Sequence, residues 1–122
     1  MRKVIEGNVD LSNLYLTELF DLSDVEVTGM FSCINNNLTS LVGSPHTVGG
    51  WFNCINNNLT SLEGSPHTVG KSFYCYHNDL TSLEGIPKTV GKYFYIDKAL
   101  EDKFPEEYIR SLCKIKGELL YI

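Results

Sequence analysis

Residues 48–68 read VGGWFNCINNNLTSLEGSPHT, and residues 27–47 before them read VTGMFSCINNNLTSLVGSPHT. A third copy, residues 69–89, reads VGKSFYCYHNDLTSLEGIPKT, and a partial copy, VGKYFYI, begins at Val90. The period is 21 residues without an insertion. Residues 5–26 form a degenerate first copy, in which Val9 matches Phe31 and Leu11 matches Cys33. A fixed period of this size predicts a solenoid, whose coils bury their apolar side chains against neighbouring coils.

Within one copy, the apolar positions indicate a short strand followed by a turn. Phe31 and Cys33 alternate with other residues, and Asn36 and Leu38 follow at the spacing of the leucine-rich-repeat core L-x-L-x-x-N-x-L. The outer part of each coil is too short for a helix and contains Gly-x-Pro, so we expect it to be extended or polyproline-like. We predict a mainly β leucine-rich-repeat solenoid of short parallel strands, with about four and a half coils in one domain, residues 1–122.

The regular 21-residue repeats span 27–96, and the flanking segments are predicted to cap them. Residues 97–122 should form a C-terminal cap with a helix over about 105–116. Pro105 suits a first helical turn, Glu106 and Glu107 suit the positive end of the helix dipole, and Gly117 ends the helix. The sequence ELLYI should then form a strand on the last coil, although residues 119–122 pairing with another protomer is an alternative.

The composition excludes several classes of function. Ten Lys and Arg against fifteen Asp and Glu give a net charge of −5, which opposes general binding to nucleic acid or anionic membranes. No apolar run approaches the ~20 residues of a membrane span. The start, MRKVIEGNVD, does not resemble a signal peptide, so we expect a cytoplasmic protein with reduced cysteines. Six acids and no base lie in residues 5–26, which indicates either a solvated cap or attraction of a basic partner.

Differences between the copies concentrate on one predicted surface. The Phe, Cys, Leu and Pro columns do not change among the full copies, whereas Met30/Trp51 and Ser32/Asn53 flank the inward Phe and should point outward. Outward Trp and Tyr residues on neighbouring strands predict a concave aromatic face, since such side chains are typical anchors of protein interfaces. The alternative is that cross-strand aromatic pairs merely stabilise a thin sheet. The predicted partner-binding residues are Met30, Trp51, Asn53, Ile55, Tyr74, Tyr76, His77, Tyr93, Tyr95 and Asp97.

Other reactive side chains indicate packing rather than chemistry. Cys33, Cys54 and Cys75 form one inward column without a C-x-x-C pair, which predicts core packing instead of a metal site or disulfide. His46 and His67 are replaced by lysine in the next copy, as expected for a solvated position. The sequence has no phosphate loop, H-E-x-x-H motif or nucleophile elbow. We therefore expect no enzyme activity, no catalytic residue, no metal and no cofactor.

The unit NNxLTSLxGxPxTVGxxFxC resembles that of small leucine-rich-repeat proteins of tailed bacteriophages, over about residues 4–100, and is similar to the repeats of secreted bacterial effectors. The tail FPEEYIRSLCKIKGELLYI also resembles the C-terminal cap of the phage group. The resemblance implies a phage-encoded protein acting in the host cytoplasm.

We expect a non-enzymatic module, a monomer or small homo-oligomer, that inhibits or modulates a bacterial host protein, such as a defence or regulatory enzyme. The alternatives are carbohydrate binding, with Asn53 and Asp97 as polar groups, and a self-assembling virion protein. Stacking of single-stranded nucleic acid is not expected, because only Lys71, Lys92 and Lys98 line the face.

Overall fold

The computed structural model describes residues 3–122, which form a mainly β solenoid with one short α-helix. The strands are β1 (Lys3–Ile5), β2 (Val9–Asp10), β3 (Val25–Val27), β4 (Phe31–Ser32), β5 (Thr47–Val48), β6 (Phe52–Asn53), β7 (Thr68–Val69), β8 (Phe73–Tyr74), β9 (Thr89–Val90), β10 (Phe94–Ile96), β11 (Lys114–Ile115) and β12 (Leu119–Tyr121). A 3₁₀ helix (Lys98–Leu100) and helix α1 (Glu106–Leu112) lie between β10 and β11.

The strands form two parallel sheets of six strands each. The first sheet has the order β1-β3-β5-β7-β9-β11, and the second has the order β2-β4-β6-β8-β10-β12. Each coil gives one strand to each sheet, so the part of the chain that is described has about six turns rather than four and a half. The outer part of each coil was expected to be extended or polyproline-like, and in the structure it contains a second short strand. The Thr-Val pairs also form strands, because stacked coils offer their backbone groups partners that a polyproline-like segment would lack.

The core consists of identical side chains stacked along the solenoid axis. Phe31, Phe52, Phe73 and Phe94 are fully buried, and their successive ring centroids lie 5.4, 5.4 and 5.2 Å apart. These distances are typical of packed aromatic pairs, which adds to the stabilisation from burial alone. The predicted inward column of phenylalanines is therefore confirmed for the coils that contain it.

A column of buried asparagines connects the coils at the turn after the second-sheet strand. The Asn57 side-chain amide donates to the carbonyls of Cys33 (3.0 Å) and Cys54 (3.1 Å), and its oxygen accepts from the Leu38 N–H (3.1 Å). Asn36 and Asn78 make the corresponding bonds in their coils. Each amide therefore satisfies backbone groups of two successive coils, which explains why every full copy keeps this residue.

A three-residue corner joins the two strands of each coil. Gly91 begins one such corner, and a Cβ at this position would collide with the backbone carbonyl of Gly70 in the preceding coil. Only a residue without a side chain allows the coils to approach this closely. Successive residues of the corner also bond between coils, as in the Lys92 N–H to Lys71 carbonyl bond of 3.2 Å.

The C-terminal cap differs in part from the prediction. Helix α1 ends at Leu112 rather than near 116, and the chain then extends at Cys113 into β11, which pairs with β9. Gly117 lies in the last corner instead of ending a helix. The predicted strand in ELLYI is confirmed as β12, and it pairs in parallel with β10. Within residues 3–122, no helix has the length and apolarity needed to cross a membrane.

Candidate functional site: an aromatic face on the second sheet

The second sheet places the outward strand residues in three columns. Strand register puts Asn53, Tyr74 and Tyr95 in one column, since Asn53 pairs with Tyr74 and Tyr74 with Tyr95. A second column consists of the residues two positions before these, at the end of each corner. A third column consists of the residues two positions after them. In chain order, these flanking columns are Met30, Trp51, Ser72, Tyr93 and Ile34, Ile55, Tyr76, Asp97.

Four rings of this surface contact one another and define the aromatic face: Trp51, Tyr74, Tyr93 and Tyr95. Tyr74 and Tyr95 stack at 4.5 Å with an interplanar angle of 4°. Trp51 meets Tyr74 edge-on at 6.0 Å, and Tyr93 meets Tyr95 edge-on at 6.3 Å. Four of the five aromatic residues expected to form one surface therefore come together, from three successive coils, whereas Tyr76 packs against His77 instead.

The rings are half-buried rather than fully exposed, because they pack on one another. The alternative interpretation, in which aromatic pairs between neighbouring strands stabilise the sheet, also predicts such ring contacts, and they are present on this face. Asn53 departs furthest from expectation, since only 8% of it is exposed. Its side-chain oxygen turns back and accepts from the Ile55 N–H at 3.0 Å. Asn53 is therefore a backbone-satisfying residue, and the expectation of an outward polar group at this position was wrong.

The polar ends of the aromatic face are available for further bonds. The hydroxyls of Tyr74, Tyr93 and Tyr95 make no hydrogen bond within residues 3–122, in contrast to Tyr121, whose hydroxyl donates to the Phe104 carbonyl at 2.6 Å. Desolvation, together with the neighbouring tyrosines, raises the pKa of Tyr95, so its hydroxyl stays protonated and remains a donor at neutral pH. The face therefore combines apolar ring area with unpaired hydroxyl groups.

Lysines border this face at the corners of the coils. Lys92 places its Nζ 5.6 Å from the Tyr93 ring centroid, within range of a cation–π interaction. Lys71 precedes it in the same corner column, and the backbones of the two residues are hydrogen-bonded. From the sequence, both lysines were expected only to be two of the few basic residues that line the face. Their pairing depends on the 21-residue register, which places equal positions of successive coils side by side.

His77 and Asp97 are linked at the edge of the surface, although neither belongs to the ring cluster. His77 has a left-handed backbone (φ 58°), and its N–H donates to Asp97 Oδ1 at 2.7 Å. The other carboxylate oxygen, Oδ2, is buried without a hydrogen-bond partner in the described chain. Tyr76 packs edge-on against the His77 ring at 5.0 Å. Asp97 therefore acts mainly as a cap for the turn at His77.

The cysteine column is buried core, as the sequence analysis predicted. Cys33, Cys54 and Cys75 are fully buried and unpaired. Burial raises the pKa of the Cys33 thiol to about 12, which makes it unreactive at neutral pH. His46 and His67 stack at 5.3 Å with nearly parallel rings, away from the aromatic face. Among residues 3–122, no group of three or more His, Cys, Asp or Glu side chains is arranged to hold a metal ion.

No protein-family model, curated protein or solved structure matches the chain. The candidate site is therefore defined by the geometry of the chain itself. The aromatic face offers ring area, unpaired hydroxyls and two bordering lysines, and these groups suit reversible binding of a partner surface.

Proposed function

We propose that this solenoid is a non-enzymatic protein-binding module and that the aromatic face is its binding surface. The observation that carries the proposal is the cluster of Trp51, Tyr74, Tyr93 and Tyr95, whose hydroxyl groups have no partner in the described chain. Tyr and Trp dominate the energetics of protein interfaces, because each combines large apolar area with a polar end. The rim of the proposed surface consists of Met30, Ile55, Tyr76, His77 and Asp97.

The ring geometry favours a protein partner over a carbohydrate. A sugar packs on the open face of an aromatic ring, but Tyr74 and Tyr95 each cover one face of the other at 4.5 Å. Asn53, one of the two polar groups expected to bind a sugar, already bonds to the backbone of Ile55. Ring edges and hydroxyls remain, and these suit contacts with the side chains and backbone carbonyls of another protein.

The resemblance to leucine-rich repeats of tailed phages extends the proposal to a partner and an effect. On this proposal the chain is a leucine-rich-repeat protein encoded by a phage, and its partner is a bacterial host protein such as a defence or regulatory enzyme. Binding would inhibit or modulate that protein in the host cytoplasm. The support for this step is the repeat unit and the C-terminal tail of the sequence.

The test compares proteins captured from a bacterial lysate by wild-type chain and by two sets of variants, with identification by mass spectrometry. The triple variant Trp51→Ala/Tyr74→Ala/Tyr95→Ala removes most of the aromatic face. Tyr108→Ala is the matched control, because Tyr108 is an exposed aromatic residue on helix α1. We expect wild type and Tyr108→Ala to recover the same partner and the triple variant to lose it.

The captured partner then allows a quantitative measurement. Trp51→Ala alone should weaken binding at least about thirtyfold, since a hot-spot residue contributes about 2 kcal/mol or more. Thermal unfolding of each variant establishes that the loss reflects the surface and not the fold. Recovery of an unchanged partner by the folded triple variant would show that the aromatic face is not the binding surface.

A further inference from the structure

The two ends of the solenoid differ in how well the side chains of the terminal coil are buried. At the C-terminal end, Ile109, Ile115 and Leu119 are buried. At the N-terminal end, the inward side chains of the first coil are only partly buried, whereas their counterparts one coil later are fully buried. The partly buried residues are Ile5, Val9, Leu11 and Leu16, and the counterparts are Val27, Phe31, Cys33 and Leu38. Within residues 3–122, the first coil therefore has less apolar cover than the coil that follows it.

The backbone of β2 is also open on that side. The N–H groups of Val9 and Leu11 donate to the carbonyls of Met30 (2.9 Å) and Ser32 (2.8 Å) in the next coil. Alternation along the strand turns the N–H and C=O of Asp10 toward the open side. Strand β2 is the edge strand of its sheet at this end. Within residues 3–122, the backbone N–H and C=O of Asp10 form no hydrogen bond. An unpaired edge of this kind is a template for adding a strand.

At the C-terminal end, a side chain caps β11, the edge strand of the first sheet, and the corner that follows it. Arg110 donates from Nη1 to the Ile115 carbonyl and from Nη2 to the Gly117 carbonyl, each at 2.9 Å. Glu106 holds the Nε of the same guanidinium at 2.8 Å. A second copy could not stack its first coil on this edge without displacing Arg110. Head-to-tail association of two copies that continues the first sheet is therefore disfavoured.

Charge further restricts what fits the open end. Residues 5–26 carry six acids and no base. Glu6 lies in the corner before β2 and Asp10 is the last residue of that strand, and both are exposed. Two N-terminal ends brought together would place these like charges against each other. Exposed apolar side chains accompany the acids, since 85% of Tyr15 and 63% of Phe20 are accessible. The surface thus suits a partner that is both basic and apolar.

We propose that the open N-terminal end binds a basic, extended segment of another protein, which adds as a strand beside β2. Its backbone pairs with the free N–H and C=O of Asp10, and its apolar side chains cover Val9 and Leu11. Its lysines or arginines lie beside Asp10 and Glu6. This is strand addition to an exposed sheet edge, in which backbone bonds give affinity and side chains give selectivity. The surface is separate from the aromatic face, so the two proposals stand independently.

The test uses a fluorescent peptide, acetyl-KVKVKVK-amide, as the probe, with anisotropy for affinity and NMR hydrogen exchange for location. We expect binding that slows exchange of the Asp10 amide. Asp10→Asn keeps the side-chain oxygen that accepts from the Ser12 N–H (3.0 Å) but removes the charge, and should weaken binding about two- to fivefold at low salt. Asp10→Pro removes the open N–H and should abolish most of the affinity. Asp79→Asn, an equal change of charge at an exposed site on another coil, should leave binding unchanged.

Several results would overturn the proposal. Equal binding of acetyl-EVEVEVE-amide, or no change in exchange of the Asp10 amide, would exclude a basic strand at this edge. An equal effect of Asp79→Asn and Asp10→Asn would indicate nonspecific attraction. An oligomeric free chain with a protected Asp10 amide would mean that a second copy occupies the end. The triple variant of the aromatic face should bind the peptide as wild type does, which distinguishes failure here from failure of the proposed function.

Discussion

Replacing the central asparagine of the turn column, Asn57→Ala, should destabilise the solenoid by about 2–4 kcal/mol. The side chain is 94% covered, and it holds two carbonyls and one N–H that belong to two coils. Alanine removes all of these bonds and leaves the buried Leu38 N–H without a partner, whereas the Cys33 and Cys54 carbonyls still accept from the side-chain amides of Asn36 and Asn78. The orphaned N–H costs about 1–3 kcal/mol and each lost bond to a carbonyl about 0.5–1.5 kcal/mol, and partial relaxation or entry of water reduces the total.

The chain supplies a matched control for this prediction. Asn58 is the same residue type one position later, but it is exposed and its side chain makes no hydrogen bond within residues 3–122. Asn58→Ala should therefore change the free energy of unfolding by less than about 0.5 kcal/mol. The measurement is urea denaturation of the three proteins, followed by circular dichroism and tryptophan fluorescence.

The denaturation slope adds a second criterion. Because stability in a solenoid comes from contacts between adjacent coils, a broken central turn can separate the unfolding of the two halves. A lower slope or two separated transitions for Asn57→Ala would be consistent with this. A variant whose unfolding free energy lies within about 0.5 kcal/mol of wild type, with an unchanged slope, would refute the view that the amide column holds the coils together.

Three further predictions follow from the core and the cap. Phe52→Ala should cost about 3–5 kcal/mol by calorimetry or denaturation, because it empties the centre of the stacked column, whereas Phe20→Ala, on an exposed ring, should cost less than about 0.5 kcal/mol. The Cys33 thiol, with its pKa raised to about 12 by burial, should resist a thiol reagent at pH 8 in the native state and react after unfolding; rapid native labelling would contradict its burial. Arg110→Ala should lower stability by about 1–3 kcal/mol and produce concentration-dependent association in sedimentation analysis, because it opens the C-terminal edge.

The repeat made most of the architecture predictable from sequence. Identical side chains at a 21-residue spacing can all be buried only if successive coils stack in register, and this placed the Phe, Cys and Asn columns correctly. The first sheet was not predicted, because a strand of two residues such as Thr47–Val48 is too short to leave a periodic signal. Helix α1 was predicted too long, because Cys113 suits either a helix or the extended chain that leads into β11.

The grouping of the aromatic residues was predictable, whereas their partial burial was not. Register alone brings Tyr74 and Tyr95 together, but sequence cannot say that rings one coil apart will cover each other's faces. The closure of the C-terminal edge by Arg110 also left no signal, since an arginine on a short helix usually faces solvent. Both features depend on the paths of neighbouring segments, which only the folded chain defines.

One column of the second sheet explains why binding should concentrate in the C-terminal half of the surface. In the first three coils this column holds short polar residues that turn back onto their own strand: Asp10 accepts from the Ser12 N–H at 3.0 Å, and Asn53 accepts from the Ile55 N–H at 3.0 Å. Ser32 occupies the same column between them and is 98% covered. A tyrosine ring cannot make this short local bond, so in the next two coils the column extends outward into the stacked pair. In the first three coils these side chains thus bond to their own strand, whereas in the next two coils the rings and hydroxyl groups remain for a partner.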